Sequence, residues 1–247
     1  MKRFFDVATA GLALLVLSPL LLVLALLIWL QDYHSPFYIA ARTGKDEKPY
    51  RMVKFRSMVV RADNSGVDST ASNDPRITAL GRFVRRLKLD ELPQLWNVFK
   101  GDMSLVGPRP NVKRETDMYT VEERRLLSIR PGITDIASIV FSDEGEILAG
   151  SLDPDLRYNQ VIRPWKSRLG LLYVSSRGPL LLDLRLIKLT IMNIFDRPAA
   201  LSSLSRIIEA YGGDRELIEV ALRRDRLRPA APPGAADIVK SREFVSA

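Results

Sequence analysis

Two carboxylates stand side by side at Asp90 and Glu91, in a stretch otherwise dominated by cations. Arg82, Arg85, Arg86 and Lys88 precede them; Lys54 and Arg56 lie in Lys54-Phe55-Arg56-Ser57-Met58, and Arg109 in Gly107-Pro108-Arg109-Pro110. Cations close to an aspartate hold it ionised, the state in which it attacks phosphorus or ligates a metal. Neighbours on a helix diverge by about 100°, so the pair reads as two different roles rather than a dyad sharing one proton. Lys54, Arg56 and Arg109 suit phosphate oxygens, which a guanidinium grips with a two-pronged fork. Gly101 and Gly107-Pro108 let backbone approach a ligand closely. With a divalent cation on the carboxylates, these parts make a phosphoryl-transfer kit. The residues alone leave a second reading open. Acid–base neighbours on a basic helix also form solvated, mutually paired faces, and Arg82–Arg86 by itself reads as a nucleic-acid or headgroup patch.

The composition narrows the chemistry. The chain has 247 residues, 37 Lys+Arg against 29 Asp+Glu, no cysteine and one histidine, His34. Disulfides, thiolate zinc sites and cysteine nucleophiles are excluded, and a His-based triad or multi-His metal site has too few ligands. Any metal is therefore hard and oxygen-bound, Mg²⁺ first. The net charge of +8 calls for an anionic partner: nucleic acid, lipid headgroups or a phosphorylated substrate. The length fits one domain, or one with an appendage.

The elements that must position the carboxylates begin with a membrane segment. Val7 to Leu30 carries no charged side chain and as a helix spans about 36 Å. Ser18-Pro19 falls in the middle, where proline removes a backbone hydrogen bond. Lys2 and Arg3 precede the run, while Arg42, Lys45, Lys48, Arg51 and Lys54 follow it, so both flanks carry the charge that prefers the cytoplasm. A hairpin that enters and leaves one leaflet satisfies both flanks; a spanning helix frustrates one. Proline also occurs in ordinary spanning helices, so both remain open on residues alone.

Beyond it, Phe37–Ala40 and Tyr50–Phe55 read as short strands around a turn at Thr43–Lys48, and Val60–Pro75 as a polar loop. Ile77–Lys88 and Leu89–Phe99 read as helices, Gly101–Asn111 as a loop, and Glu115–Ile129 as a helix ended by Arg130-Pro131-Gly132. Trp165–Val174 and Leu180–Phe195 are apolar helices whose Lys166, Arg168, Arg185 and Lys188 could reach a headgroup layer; packing on the core is the equal alternative. The expected fold is α+β and predominantly helical, a monotopic membrane protein. Residues 1–34 form the re-entrant hairpin with its break at Ser18 and Pro19. Residues 35–198 form a cytoplasmic catalytic domain with interfacial amphipathic helices. Residues 199–247 form a peripheral appendage with a flexible Ala/Pro-rich tail, Pro229–Ala236.

Several motifs in order resemble the bacterial sugar transferases, small monotopic phosphoglycosyl transferases. They are Lys2-Arg3 with Asp6, Ser18-Pro19, Arg42 and Gly44, Lys54-Phe55-Arg56-Ser57-Met58, Asp74-Pro75-Arg76-Ile77-Thr78, Leu89-Asp90-Glu91-Leu92-Pro93-Gln94 with Trp96-Asn97-Val98, Gly101-Asp102-Met103-Ser104 and Val106-Gly107-Pro108-Arg109-Pro110. Weaker echoes are Arg130-Pro131-Gly132-Ile133-Thr134 and Leu182-Asp183-Leu184 with Thr190. The resemblance implies transfer of a sugar-1-phosphate from a UDP-sugar to polyprenol phosphate, at the cytoplasmic face of a bacterial inner membrane, as a first step of surface-polysaccharide assembly. It implies Asp90 as nucleophile of a covalent intermediate and Glu91 as its catalytic partner. Mg²⁺ would sit on Asp90 and Glu91. Lys54, Arg56, Arg76, Gln94, Asn97 and Arg109 would contact substrate and its phosphates. Membrane lipids and a homo-oligomer are the further partners, with no nucleic acid. The chain departs from the family pattern at Ala40, Asp135 and Ser138, where many members carry Gln, Gly and Gln, so no sugar follows. The rival readings are an inactive scaffold of the same fold and a membrane-tethered nucleic-acid-binding protein.

Overall fold

A computed structural model describes residues 1–67, 69–176 and 180–241. Its first element, α1 (Lys2–Leu30), is one uninterrupted helix with Pro19 inside it. The expected break at Ser18-Pro19 is therefore not a gap in helical backbone. The Ser18 hydroxyl donates to the Leu15 carbonyl at 2.8 Å, and that carbonyl is the one Pro19 leaves without its i−4 donor. The helix keeps its bond count through a side chain.

Both ends of α1 are docked on the rest of the chain, and its middle packs one face on the core, through Ala13, Leu14 and Leu17, and leaves the other bare. Near the start, Lys2 bonds Asp183, the Tyr173 hydroxyl at 3.2 Å and the Val106 carbonyl at 3.1 Å. Asp6, buried, accepts from the Ser104 hydroxyl at 2.8 Å and the Leu105 N–H at 3.1 Å. Toward the other end Leu24 and Ile28 are buried against Phe55 and Val84. Between them Leu12, Leu15, Val16, Leu22 and Val23 are exposed, an aliphatic surface that water does not favour.

After α1 the chain forms an antiparallel hairpin, β1 (Phe37–Thr43) with β2 (Pro49–Phe55), in register from Phe37↔Phe55 to Thr43↔Pro49. A short turn of helix at Lys45–Glu47 joins them. Next comes α2 (Ala79–Arg86), capped by the Thr78 hydroxyl accepting from the Gly81 N–H at 2.9 Å. Gly81 is required there: a Cβ would lie 1.9 Å from the Ser57 carbonyl oxygen. Lys88, at φ 58°, ends this helix in the left-handed region.

The expected single helix Leu89–Phe99 is two pieces, a 3₁₀ turn at Leu89–Glu91 and α3 (Gln94–Lys100). Pro93 separates them, having no N–H to continue the ladder. The stretch expected as a loop contains β3 (Ser104–Val106), paired in parallel with β4 (Gly132–Thr134). Glu115–Ile129 is likewise divided, into α4 (Lys113–Asp117) and a 3₁₀ turn at Glu123–Ser128. Thr120 and Glu123 make the new start: the Glu123 N–H donates to the Thr120 hydroxyl at 3.1 Å, and the Thr120 N–H to the Glu123 carboxylate at 3.0 Å. That reciprocal cap is spelled Thr-x-x-Glu and favours a helix start where one continuous helix was expected.

The second half is helical. The short helices α5 (Ile136–Val140), α6 (Glu144–Leu148) and α7 (Pro154–Arg157) lead through a π turn at Tyr158–Ile162 into α8 (Arg163–Ser175). Then follow α9 (Leu180–Phe195), α10 (Arg197–Ala210) and α11 (Arg215–Leu222). Val98, Met103, Ile136, Ile139, Ile162, Leu169, Leu186 and Leu204 share one core.

Here α8 corrects one expectation. It is not interfacial: Trp165, Leu169 and Tyr173 are buried, Lys166 pairs with Glu144, and Arg168 stacks 4.7 Å from the Trp165 ring. In contrast α9 buries Leu182, Leu186 and Leu189 and exposes Leu181, Leu184, Arg185, Lys188, Ile191 and Phe195, an apolar and basic outer face.

The Ala/Pro-rich segment corrects another, because it is held along α8. The Ala230 N–H donates to the Gln160 carbonyl, the Trp165 indole to Arg228, the Thr120 hydroxyl to Pro233 and the Gln160 amide to Val239. Asp143 ties down α10 and α11 through Arg197 and Arg223, both at 2.9 Å. Residues 242–247 of the expected tail lie outside the described residues.

Asp6→Ala strands a buried hydroxyl and a buried N–H, at a cost of about 2 kcal/mol. A lowered thermal midpoint of the protein in nanodiscs, with exposed Phe4→Ala unchanged, is the expected outcome.

Candidate active site

The 3₁₀ turn places both carboxylates at the junction of β2, α2 and α3, and Asp90 and Glu91 are each 8% exposed. Their surroundings differ. One Glu91 oxygen accepts from Lys54 Nζ at 3.0 Å and from Arg109 Nη2 at 2.6 Å. Asp90 has no hydrogen bond or ion pair among the described residues. Burial works against a charged Glu91, but Arg109 and Lys54 outweigh it and hold its carboxyl well below the usual range. Asp90 goes the other way. Burial and the Glu91 charge raise it, against the pull of Lys54, Arg85 and Lys88. The expectation that nearby cations lower Asp90 is thus reversed in direction, because burial and the Glu91 charge outweigh the cations around it.

The other residues singled out from sequence divide into those at the pair and those elsewhere. Lys54 reaches the pair from β2 and is only 17% exposed; burial lowers its pKa, with Glu91 opposing. Arg109 arrives from the turn after β3, its guanidinium stabilised in charged form by Glu91. Gln94, one helical turn beyond Asp90, is buried with its Nε2 lacking any acceptor.

Arg56, Arg76 and Asn97 are committed to structure. Arg56 forks onto Asp32 with two 2.6 Å bonds and reaches the Ser35 carbonyl, clasping the exit of α1 to β2. Arg76 bonds Asp74 at 2.7 Å and the carbonyls of Ala62 and Val67, folding the 60–76 loop on itself. Asn97, fully buried, donates to the Arg51 carbonyl and Asp102 and accepts from the Val53 N–H, stapling α3 to β2. In this structure these three side chains bond the frame of the site.

Three features went unread in sequence. Arg85 and Lys88 act on Asp90, although the run Arg82–Lys88 read only as a patch; the signal was their spacing, three apart and ending two residues before Asp90. A cavity of about 30 Å³ lies behind Arg109, lined by Asp135, Ser138, Tyr158 and Lys166 among others. It has room for about one water. Asp135 and Ser138, the two departures from the family pattern, line it, and Asp135 also caps α5 with 2.6 Å to the Ser138 N–H.

Such a buried, cation-fed carboxylate pair beside a bilayer-length apolar helix defines a membrane-associated protein suited to phosphate-bearing substrates. Residues 1–197 match the model of the bacterial sugar transferases, and the chain belongs to that family. It is 38% identical over 176 residues to the UDP-glucose:undecaprenyl-phosphate glucose-1-phosphate transferase of Escherichia coli (strain K12), covering 67% of this chain and 36% of that protein. Over 142 residues it is 38% identical to the UDP-N-acetylgalactosamine-undecaprenyl-phosphate N-acetylgalactosaminephosphotransferase of Aeromonas hydrophila, covering 56% of this chain and 34% of that protein. With the exopolysaccharide production protein ExoY of Rhizobium meliloti (strain 1021) it shares 38% identity over 153 residues, 56% of this chain and 68% of that one. The chain thus spans about a third of the first two relatives and about two thirds of ExoY.

If Asn97 is a staple, Asn97→Ala lowers stability by about 2–3 kcal/mol through stranded buried partners. In protein still folded at low temperature, substrate KM stays within about twofold of the parent, a KM rise of tenfold being the contrary result.

Proposed function

We propose that this protein moves a sugar-1-phosphate from a UDP-sugar to polyprenol phosphate at the cytoplasmic face of a bacterial inner membrane, giving polyprenyl-diphospho-sugar and UMP. The observation that carries this reading is the division of labour between the carboxylates: Glu91 binds Lys54 and Arg109, and Asp90 is left free. The substrates come from the printed names of the relatives, which pair UDP-sugars with undecaprenyl phosphate.

In the first half-reaction an Asp90 oxygen attacks the sugar-bearing phosphorus. The bond from that phosphorus to the bridging oxygen breaks, and UMP leaves with the electron pair. In the second, an oxygen of polyprenol phosphate attacks the same phosphorus, and the aspartyl oxygen departs, restoring the Asp90 carboxylate. Burial and the Glu91 charge make Asp90 a more basic nucleophile than a solvated aspartate. Lys54 and Arg109 offset phosphate charge, and the unpartnered Gln94 amide is a donor for a phosphate or carboxylate oxygen.

Mg²⁺ fits the donor set. Asp90 and the second Glu91 oxygen are hard donors without partners, and among the described residues no third Asp, Glu or His completes a cage. Asp90 and Glu91 would hold the ion, which retains several waters by preference, and it would supply charge neutralisation at the diphosphate.

Both ends of α1 pack on the same domain, while one face of its middle, Leu12, Leu15, Val16, Leu22 and Val23, is bare. That supports re-entry, with Lys2 and Lys45 on one side of the bilayer and Pro19 at the deepest point. The exposed Trp96–Phe99 stack, at 5.9 Å, and the outer face of α9 suit the headgroup layer.

Intact-mass measurement of the protein with Mg²⁺ and a panel of UDP-sugars, without acceptor, tests the chemistry. A gain of one phospho-sugar with UMP release, absent in Asp90→Asn, is the expected result. An adduct that persists in Asp90→Asn sinks the nucleophile, and turnover with acceptor but no adduct points to direct transfer. Absence of all turnover favours the inactive scaffold.

Topology has its own test. Reporter cysteines at Lys2 and Lys45 are expected to be labelled from the cytoplasmic side alone; labelling from opposite sides contradicts re-entry.

A further inference from the structure

Around Asp90 the cations fall into two sets on different elements. Lys54 and Arg109 come from β2 and the turn after β3, and both are bonded to Glu91. Arg85 comes from the end of α2 and Lys88 from the turn just after it, and neither forms an ion pair among the described residues. The Arg85 side chain has one long bond, 3.4 Å to the Ser57 hydroxyl, and the Lys88 ammonium has no hydrogen bond among the described residues. Both favour the charged form of Asp90. They lie three positions apart, Arg85 in the last turn of α2 and Lys88 two residues past its end. Lys88 is held there by its left-handed backbone, the turn that also aims Asp90 inward.

The flank on which these two cations sit is set by packing. Val84, next to Arg85, is fully buried against Leu24, Ile28 and Phe55. Thus α2 is the element that links Asp90 to the far end of the membrane helix. Beside it Phe83 and Arg86 are exposed, an aromatic and a cation fit for the interface. Arg85 and Lys88 thus sit on and just past the element that packs on the membrane helix, whereas Lys54 and Arg109 are engaged by Glu91, and Arg109 also lines the Asp135 cavity.

We infer that Arg85 and Lys88 form the binding site for the phosphate of the lipid acceptor, leaving Lys54 and Arg109 to the donor. The inference deepens the proposed reaction and rests on it for the identity of the acceptor. A phosphate monoester at a lipid headgroup is close to doubly charged, and a guanidinium with an ammonium matches both its charge and its oxygens. Holding the acceptor on cations separate from those that Glu91 engages lets one nucleophile serve two substrates in turn without moving either cation set. The same cations would also attract ordinary anionic headgroups, so the lipid composition must be varied.

The test uses full-length protein in nanodiscs, with Arg85→Gln, Lys88→Gln and the exposed control Arg86→Gln. Undecaprenyl phosphate retained per protein is measured by native mass spectrometry without donor, and KM for each substrate is measured by UMP release. Each of the first two variants is expected to lose about tenfold in undecaprenyl phosphate binding and to raise the acceptor KM about tenfold, with donor KM within about twofold. Thermal midpoints equal to the parent confirm that the fold is intact, and Arg85→Lys is expected to recover part of the binding.

Equal retention of undecaprenyl phosphate in parent and variants overturns the assignment. So does a rise in donor KM instead, or a defect that Arg86→Gln or removal of phosphatidylglycerol reproduces. A parent that retains undecaprenyl phosphate through Arg85 and Lys88 but turns over no UDP-sugar sinks the donor reading and upholds the acceptor site.

Discussion

A single carboxylate oxygen organises this molecule's chemistry. Glu91 accepts both Lys54 and Arg109, which come from elements far apart in the chain, and joins β2 to the turn after β3 at the point where Asp90 emerges. Two buried cations without that partner would repel each other and lose their hydration uncompensated. With it they stand ready, and Asp90 needs no salt bridge of its own. A nucleophile tied by a short ion pair would have to break it before reacting. Splitting an adjacent acidic pair into a holder and a free group avoids that cost.

The second constraint is height above the membrane. The apolar middle of α1 has nowhere to go but lipid, while Lys2, Arg3 and Asp6 bind backbone and side chains of the domain. Arg3 donates to the Val98 and Phe99 carbonyls at the end of α3, at 2.7 and 3.0 Å. Those carbonyls lie in the last turn of the helix that follows the carboxylates, where the backbone leaves acceptors short of donors. The membrane element therefore caps the helix that follows the site, and its depth and the position of Asp90 are set by the same bonds. Asn97 and Arg56 continue the clasp, one to β2 and the other to the exit of α1.

Much of this was legible before folding. The aliphatic run, the charged flanks and the long ordered set of motifs led to the family, and the hairpin around Thr43–Lys48 followed from its turn residues. Other features were obscured by cooperative context. Pro93 and the Thr120–Glu123 cap divide stretches whose periodicity reads as single helices. The strands at Ser104–Val106 and Gly132–Thr134 are three residues each, too short for any period, and exist because each pairs with the other. Trp165–Val174 has the composition of an interfacial helix, but Glu144 neutralises Lys166 and the returning chain covers Arg168. The Ala/Pro-rich segment lacks side chains that could signal order, and its order comes from backbone carbonyls accepting bonds from Trp165, Thr120 and Gln160.

What the amino-acid sequence by itself determined was the inventory: no thiol or imidazole chemistry, an acidic pair among cations, a bilayer-length apolar helix with positive flanks. Residue type and local spacing are enough for those. Which cation meets which carboxylate was decided only by tertiary structure. Arg56 and Arg109 are alike in the sequence, yet Arg56 forks onto Asp32 and Arg109 reaches Glu91. The reason is range. A guanidinium bonds over about 3 Å, and contacts that short between residues 18 or more apart exist only once the backbone has been folded to bring them together.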